Sequence, residues 1–506
     1  MDATPLATRY DVRAIDAERL MVLVPALLLV TLLTFVPISS NDFWLQVTIG
    51  GMIWNDGSIP RTVLFPFTEA KDYPFIAHEW LPSVVVYLLH RALGFDLLVF
   101  VKGAIGLLMF ALAYRLAERL TRDAVLATLL AVVALVVGNY RHFLRPEIFA
   151  LVFLLVLLNL LVEYQLTGRR RILLWALPLA ALWANCHASF PIALIIVMLF
   201  GAGAAVDYVR ASRPAPGALL ARGAVAAAAP YLVLAAGMAF AVLLNPYGYR
   251  LYAFAWRMSQ WSVLSQFIIE WRPTFADPFV GNRAFWAFIA YLVGTLALGV
   301  VYRKRLSATV VMLFLAFALL AMQRQRYIVL FAYTGLYCIA ATLGSIVLHE
   351  RARRLVAAAG SATLALAIAA ALRYGNMYSA WPHTVTSDNF TPPMEQFIRD
   401  NHLEGNVFNS YGLGAQLIHD FYPRLRPLID SRIDAYGEPY FLYTVHLGVN
   451  EKALLEFIER YDVRYFLLSW DEFRNRIGTM PKLRESGWRM LFADHKAVLL
   501  GREPAR

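Results

Sequence analysis

Residues 21–38 read MVLVPALLLVTLLTFVPI, and residues 39–44 read SSNDFW. The first stretch is apolar over a length close to the roughly 20 residues that carry a helix across a bilayer core. No small-residue cleavage site ends it, so it is expected to remain as a first membrane span and not to be removed as a leader. The second stretch places a carboxylate, Asp42, just beyond that span. A carboxylate at a membrane boundary is costly to bury and needs a partner or a role.

The composition extends the membrane reading to most of the chain. Of 506 residues, 59% are hydrophobic and only 16% are charged, against about 25% charged in ordinary soluble domains. The mean hydropathy is +0.56. The net charge of +11 sits in short loops between apolar runs, which fits membrane topology and gives no reason to expect nucleic acid. Cys186 and Cys338 fall in or beside apolar runs far apart in sequence, so neither a disulfide nor a metal site is expected from them.

Loop charge orders the spans. Basic residues gather at Arg9, Arg13 and Arg19, and then in the segments Arg115 to Arg122, Arg169 to Arg171, Arg210 to Arg222, Arg303 to Arg305 and Arg351 to Arg354. Placing all of them on the cytoplasmic side allows spans at 21–38, 96–116, 124–139, 146–164, 172–186, 189–207, 224–244, 284–302, 307–322, 326–348 and 355–372 to alternate without conflict. Leu81 to Leu93 is apolar but short, and it is read as an interfacial or re-entrant helix on the outer side. The expected fold class is therefore an all-α polytopic membrane domain of about 11 transmembrane helices, followed by a small C-terminal α/β domain. The membrane domain covers residues 1–372, with a long first outer loop at 39–95, and the soluble domain covers 373–506. The expected location is a bacterial inner (plasma) membrane, with a cytoplasmic N-terminus and a periplasmic or extracellular C-terminal domain.

From about Arg373 the composition becomes that of a soluble domain. Met394 to Asn401 and Glu451 to Tyr461 read as helices. Asn406 to Asn409, Pro427 to Ile429 and Val463 to Ser469 read as short strands, and Trp488 to Phe492 with Ala497 to Leu500 reads as a terminal hairpin. The domain has no phosphate-binding glycine loop and no nucleophile elbow; Tyr411-Gly412-Leu413-Gly414 is too short for a dinucleotide fingerprint. The cluster Asp430-Ser431-Arg432-Ile433-Asp434 follows a candidate strand and either faces a membrane cavity or is a solvated turn.

Nearly every unusual residue falls in the loops assigned to the outer side. Asp42 is either an N-cap of a following helix or a catalytic acid. Glu79, at the far end of the same loop, is either stabilised by a helix dipole or a second functional acid. His78 is a ligand, a phosphate partner or a cap. Arg145, Arg272 and Arg326 each stand at the outer end of a span, where arginine either snorkels or binds phosphate bidentately. His187 is a substrate contact or a satisfied interfacial histidine. Trp44, Trp80 and Trp271 add aromatic faces to the same outer loops.

Taken together, a first span, a loop that begins Asn41-Asp42 and runs through Gly50-Gly51 and Gly57-Ser58-Ile59-Pro60 to His78-Glu79-Trp80-Leu81, many further spans and a closing soluble domain resemble the GT-C superfamily of membrane glycosyltransferases. More narrowly, the pattern is similar to bacterial relatives of the protein mannosyltransferases and the lipid A aminoarabinose transferases. The resemblance implies a GT-C-like fold and inverting transfer of a sugar from a polyprenyl-phosphate donor to a glycan, lipid or protein acceptor, among membrane lipids. It implies that Asp42 serves as base or orients the acceptor, that Glu79 is a second acid, and that Arg326 contacts the donor phosphate. Asn41 stands where many relatives carry a second acid, so a divalent metal ion is left open. The competing readings are a non-catalytic membrane scaffold and a flippase or polymerase of lipid-linked glycans, the latter requiring a polar path at mid-membrane.

Overall fold

The computed structural model describes residues 17–38, 40–212, 216–344, 350–374 and 391–502. Arg9 and Arg13 lie outside these residues, as does the end of the expected 326–348 span.

The bundle is built from α1 (Ala17–Thr34), α2 (Asn41–Asp56), α3 (Trp80–Thr121), α4 (Ala124–Gly138), α5 (Pro146–Thr167), α6 (Ala176–Cys186), α7 (Pro191–Ala211) and α8 (Gly217–Val242). It continues with α9 (Arg250–Gln260), α10 (Ser262–Phe267), α11 (Arg283–Val301), α12 (Ala308–Gln323), α13 (Ile328–Leu343) and α14 (Glu350–Tyr374). Among the described residues, 9 helices are long and apolar enough to cross a membrane, and the protein is a multi-pass membrane protein. The other two expected spans, 172–186 and 307–322, are helical but shorter. In the first, a tight 3₁₀ turn over Arg170–Trp175 leads into α6. Because 3₁₀ residues rise about 2.0 Å each against 1.5 Å in an α-helix, the two together still extend about 28 Å.

The expected outer loop at 39–95 is largely helical, which corrects its description as a loop. Residues Asn41–Asp56 form α2, and Trp80 opens α3. Leu81 to Leu93 is the first part of α3, separated from the spanning part by a break at Gly94, whose φ of 72° suits glycine. Asp42 is not the cap of α2: Ser40 holds the cap position, and Asp42 lies in the first turn.

The starts of α1, α4 and α14 meet at the end of the bundle away from α2. There Arg353 Nε is 3.6 Å from both Glu18 and Asp123. The apolar core that fills the bundle is formed above all by α4, α5 and α13, and α13 is buried along almost its whole length.

The C-terminal region carries α15 (Pro392–Asp400), α16 (Gly414–Phe421), α17 (Ile433–Tyr436), α18 (Glu438–Leu447) and α19 (Glu451–Arg460) around a five-stranded mixed sheet. Its strands are β1 (Gly405–Asn409), β2 (Leu425–Pro427), β3 (Val463–Ser469), β4 (Trp488–Ala493) and β5 (Ala497–Arg502), in the order β2-β1-β3-β5-β4. β1 pairs in parallel with β2 and β3; β5 pairs antiparallel with β3 and β4. The strand expected at Pro427 to Ile429 lies slightly earlier, because Leu425 to Pro427 is the part that pairs with β1.

This region is seated on the segment between α2 and α3. Thr68 Oγ1 and the Tyr440 hydroxyl are 2.7 Å apart, and Arg460 and the Tyr461 hydroxyl both hold Glu69. Arg432 donates to the Val63 carbonyl at 3.1 Å and stacks over Phe75. One mixed apolar cluster contains Val63, Phe75, Leu264, Phe408, Ile433 and Phe466, so the segment and the sheet share a core.

Candidate active site

A cavity of about 1020 Å³ lies between the bundle and the C-terminal region. Asp42, Leu45, Gln46 and Ile49 line it from one face of α2, as spacings of three and four along a helix require. Three helices begin here with a carboxylate near the start: Asp42 in the first turn of α2, Glu79 at the cap of α3 and Glu147 in the first turn of α5. Helix N-termini carry partial positive charge, which steadies those carboxylates and any other anion in the cavity.

Eight of the ten residues singled out one by one in the outer loops reach this cavity: Asp42, His78, Glu79, Trp80, Arg145, His187, Trp271 and Arg326. Two do not. Trp44 packs edge-on against Phe43 and Phe95 and lies 5.0 Å from the His419 ring, so it joins α2 to the C-terminal region. Arg272 donates to the Gln266 carbonyl at 3.3 Å, while its own carbonyl accepts from the Gln325 amide. Its neighbour Trp271 does face the cavity, beneath Arg326, with the guanidinium 4.1 Å from the ring centre.

The arginines differ in how firmly they are held. Arg141, 5% exposed, is clamped between Glu147 and Glu270. Arg145 makes longer ion pairs, 3.4 Å to Asp42 and 3.7 Å to Glu270, and donates to the Ser40 hydroxyl at 2.7 Å. Arg326 is 3.9 Å from Glu147. Arg145 and Arg326 therefore keep bonding capacity for an anion, whereas Arg141 serves the scaffold. Burial tends to raise the Glu270 carboxyl, but Arg141 above all, then Arg326 and Arg145, hold it down to about 2. Glu270 stays ionised and balances the arginines.

The acids differ too. Burial pushes the Asp42 carboxyl above its ordinary value, against the pull of Arg145. The Ser431 hydroxyl also faces Asp42 and lowers it, yet makes no hydrogen bond within normal distance. Burial acts on Glu79 in the same upward sense, but the neighbouring His78 outweighs it and holds Glu79 below the usual range. Both histidine rings approach Glu79 Oε1, His78 Nε2 at 3.4 Å and His187 Nε2 at 3.9 Å.

The His187 ring is oriented from behind. Its Nδ1 accepts from the Ser189 amide at 3.1 Å and lies 2.8 Å from the Ser189 hydroxyl, which itself accepts from the Trp183 indole. An accepting Nδ1 places the proton of the neutral ring on Nε2, toward Glu79. Burial pushes His187 down to about 4, so it is neutral. For His78 burial acts downward as well, but Glu79 and Asp434 outweigh it and raise the ring to about 9.

Missed in the sequence were Arg141, Glu147 and Glu270 as an ion-pair frame; of the two readings of the Asp430 to Asp434 cluster, the structure has the one that faces the cavity, with Asp434 3.6 Å from His78 Nδ1. Spacing alone carried no signal for pairs so far apart in the chain. Among the described residues, no group of three or more His, Cys, Asp or Glu side chains is arranged to hold a metal ion. The acids here are paired with arginine and histidine side chains: Asp42 with Arg145, Glu147 and Glu270 with Arg141, and one oxygen of Glu79 with His78. Cys186 and Cys338 are free, buried thiols.

On one side the cavity meets apolar surroundings. Ile195 and Trp256 both line it and are 41% and 71% exposed. Where α7 and α9 line it, the cavity thus carries exposed apolar side chains.

A bundle of this kind, with a cavity at the helix starts roofed by a mixed α/β domain, has the fold of the GT-C membrane glycosyltransferases. Solved structures with this fold include the Archaeoglobus fulgidus oligosaccharyltransferase AglB in complex with an inhibitory peptide and a dolichol-phosphate. That likeness has a TM-score of 0.57 at 14% identity and covers 90% of this chain and 69% of AglB. ArnT from Cupriavidus metallidurans bound to undecaprenyl phosphate gives 0.53 at 12% identity, covering 96% of this chain and 99% of ArnT. The Archaeoglobus enzyme with Zn and sulfate gives 0.50 at 14% identity, over 92% and 71%. No family model and no curated protein matches the sequence. At these identities the likeness establishes the fold.

Proposed function

We propose that the protein is a glycosyltransferase that moves a sugar from a polyprenyl-phosphate donor to an acceptor hydroxyl in the cavity above α2. The observation that carries this reading is the convergence of Asp42, Glu79, Arg145 and Arg326 on one cavity that also has the exposed apolar side chains Ile195 and Trp256 in its lining. The dolichol-phosphate and undecaprenyl phosphate held by the AglB and ArnT structures support a lipid-linked donor.

The lipid chain lies beside Ile195 and Trp256, and the phosphate sits between Arg145 and Arg326. Trp271, with Arg326 over its ring, and Trp80, fixed by a 2.9 Å bond to Asn185, flank the sugar. Asp42 takes the proton of the acceptor hydroxyl as that oxygen attacks the anomeric carbon. The bond from this carbon to the phosphate oxygen breaks, and polyprenyl phosphate leaves with the electron pair. One displacement inverts the anomeric centre and needs no covalent intermediate. Arg145 and Arg326 stabilise the charge that grows on the leaving phosphate. The acceptor is a glycan, lipid or protein. The catalytic face is periplasmic, and the arginine-rich turns are cytoplasmic.

Purified protein in nanodiscs, given undecaprenyl-phosphate-linked sugars, is expected to release undecaprenyl phosphate in a manner abolished by Asp42→Asn. Release unaffected by that substitution, or no release with any donor, refutes the reading.

A further inference from the structure

His78 stands between two carboxylates from distant parts of the chain. Its Nε2 is 3.4 Å from Glu79 Oε1, and its Nδ1 is 3.6 Å from Asp434 Oδ2 and 3.3 Å from the Ile76 carbonyl. Glu79 belongs to the start of α3, whereas Asp434 belongs to the first turn of α17 of the C-terminal region. The imidazole is 11% exposed and packs against Phe254 of α9.

The turn that presents Asp434 is held rigidly. Asp430 is fully buried, bonded to Arg432 at 2.7 Å and to the Tyr436 hydroxyl at 2.7 Å. Arg432 in turn reaches the Val63 carbonyl and stacks on Phe65 and Phe75. The Tyr411 hydroxyl donates to the Ser431 carbonyl and accepts from the Ile433 amide at 3.3 Å. A turn braced from three sides offers Asp434 to His78 at a fixed place.

Downstream of His78 the geometry is selective. Both imidazoles approach the same oxygen of Glu79, Oε1. Among the described residues no partner holds Oε2, and the Glu79 side chain keeps 34% of its exposure, directed to the cavity. One carboxylate oxygen is tethered and the other is presented to whatever the cavity holds.

We infer that Asp434 is a positioning residue of the transfer site, acting through His78 to tether Glu79 so that its free oxygen accepts a hydrogen bond from a hydroxyl of the bound sugar. This rests on the glycosyl-transfer reading of the cavity. The ligand class is a polyol with a free hydroxyl near the reacting carbon, because an ionised carboxylate only accepts hydrogen bonds. It also makes the C-terminal region part of the site, since α2 and α3 alone leave His78 without its second anchor. The groups facing His78 are Glu79, Asp434 and the neutral His187, with Phe254 closing the remaining side.

The test uses the full chain in nanodiscs with ring-¹⁵N histidine, and the variants Asp434→Asn, Asp434→Glu, His78→Gln and the double variant His78→Gln/Asp434→Asn. His78→Gln identifies the His78 signal by its loss. In the unaltered protein that signal titrates well above 6.5, the ordinary value for histidine, and Asp434→Asn lowers the midpoint by about one pH unit or more. With undecaprenyl-phosphate-linked sugars as donors, Asp434→Asn lowers kcat/KM about tenfold and brings the alkaline limb of the pH profile down. Asp434→Glu restores most of both, and Asp434→Asn adds nothing to His78→Gln. An unchanged His78 midpoint in Asp434→Asn, or additive losses in the double variant, overturns the proposal. If Asp434→Asn does not fold, His78→Gln with unaltered turnover overturns it equally. No turnover by the unaltered protein with any donor sugar refutes the glycosyl-transfer reading instead, and the titration still decides the Asp434–His78 link.

Discussion

The Asp42 carboxylate faces the Arg145 guanidinium at 3.4 Å. The same arginine engages the Ser40 hydroxyl at the cap of α2, which makes no side-chain cap bond to its own helix. Burial raises the Asp42 carboxyl and Arg145 opposes that rise, so the carboxylate is a better proton acceptor than a solvated aspartate. Asp42→Asn keeps the shape and removes the base. Loss of a general base costs about 10²–10⁴ in rate, so kcat for polyprenyl-phosphate release is expected to fall by that factor with an unchanged melting midpoint. A loss below tenfold would show that Asp42 is not the base.

Arg141 and Arg326 lie in one cluster and should fail differently. Arg141 is clamped by Glu147 and Glu270; Arg141→Ala leaves two enclosed carboxylates without their main partner, a loss of ~3–5 kcal/mol in stability. Arg326 is only 3.9 Å from Glu147 and spreads over Trp271. Arg326→Ala is expected to weaken binding of undecaprenyl phosphate about tenfold or more while leaving the melting midpoint nearly in place. Melting curves and lipid-phosphate titrations of both variants separate the two roles; the reverse pattern would remove Arg326 from the donor site.

The sequence exposes Asp42, Glu79, His187, Arg145 and Arg326 because each is a polar residue at an apolar span's end, where an unneeded charge is costly. The helices of the bundle were legible for the same reason: apolar length is a one-dimensional signal. What joins these residues is not. Arg141 and Glu270 are 129 positions apart, and nothing local in either pairs them. Trp44 and Arg272 carry the same local signal as Trp80 and Arg145, but the helix faces that turn them away from the cavity are set by packing against Phe95 and Gln325. The segment at 41–56 reads as a loop because Gly50 and Gly51 weaken its helical pattern, and contact with α3 supplies the stability that its propensity lacks.

The His78–Glu79 pair sets a pH window for stability. His78 is raised to about 9 from 6.5, so its contribution is complete below about 6.5 and is lost as pH climbs through about 9. Glu79 is lowered from 4.5, so its contribution is present above 4.5 and fades as pH falls below that value. The pair therefore stabilises most between those limits. The melting midpoint of the unaltered protein should decline between pH 7 and 9.5, and His78→Gln should flatten that decline. An equal decline in both proteins would mean that other groups govern the alkaline side.

Gly50 is where α2 meets α3. A Cβ there would lie 2.0 Å from the Ser83 carbonyl oxygen and 2.9 Å from Tyr87 Cβ. The nearest obstacle is backbone, which cannot swing aside as a side chain end would. Gly50 has no left-handed φ, so alanine suits its local conformation and helix propensity favours the change. Only the helix contact opposes it. Gly50→Ala must push α2 away from α3, and Asp42 and Gln46 stand on that helix two turns and one turn upstream. Overpacking of this kind costs about 1–3 kcal/mol. Transfer should fall further than the lost stability explains, because a shift of about 1 Å at a catalytic group can cost 10²-fold. Gly217→Ala, at the start of α8 with open space around its Cβ, serves as the control and should leave melting and transfer intact. If Gly50→Ala melts and turns over like the unaltered protein, α2 does not owe its place in the cavity wall to this contact.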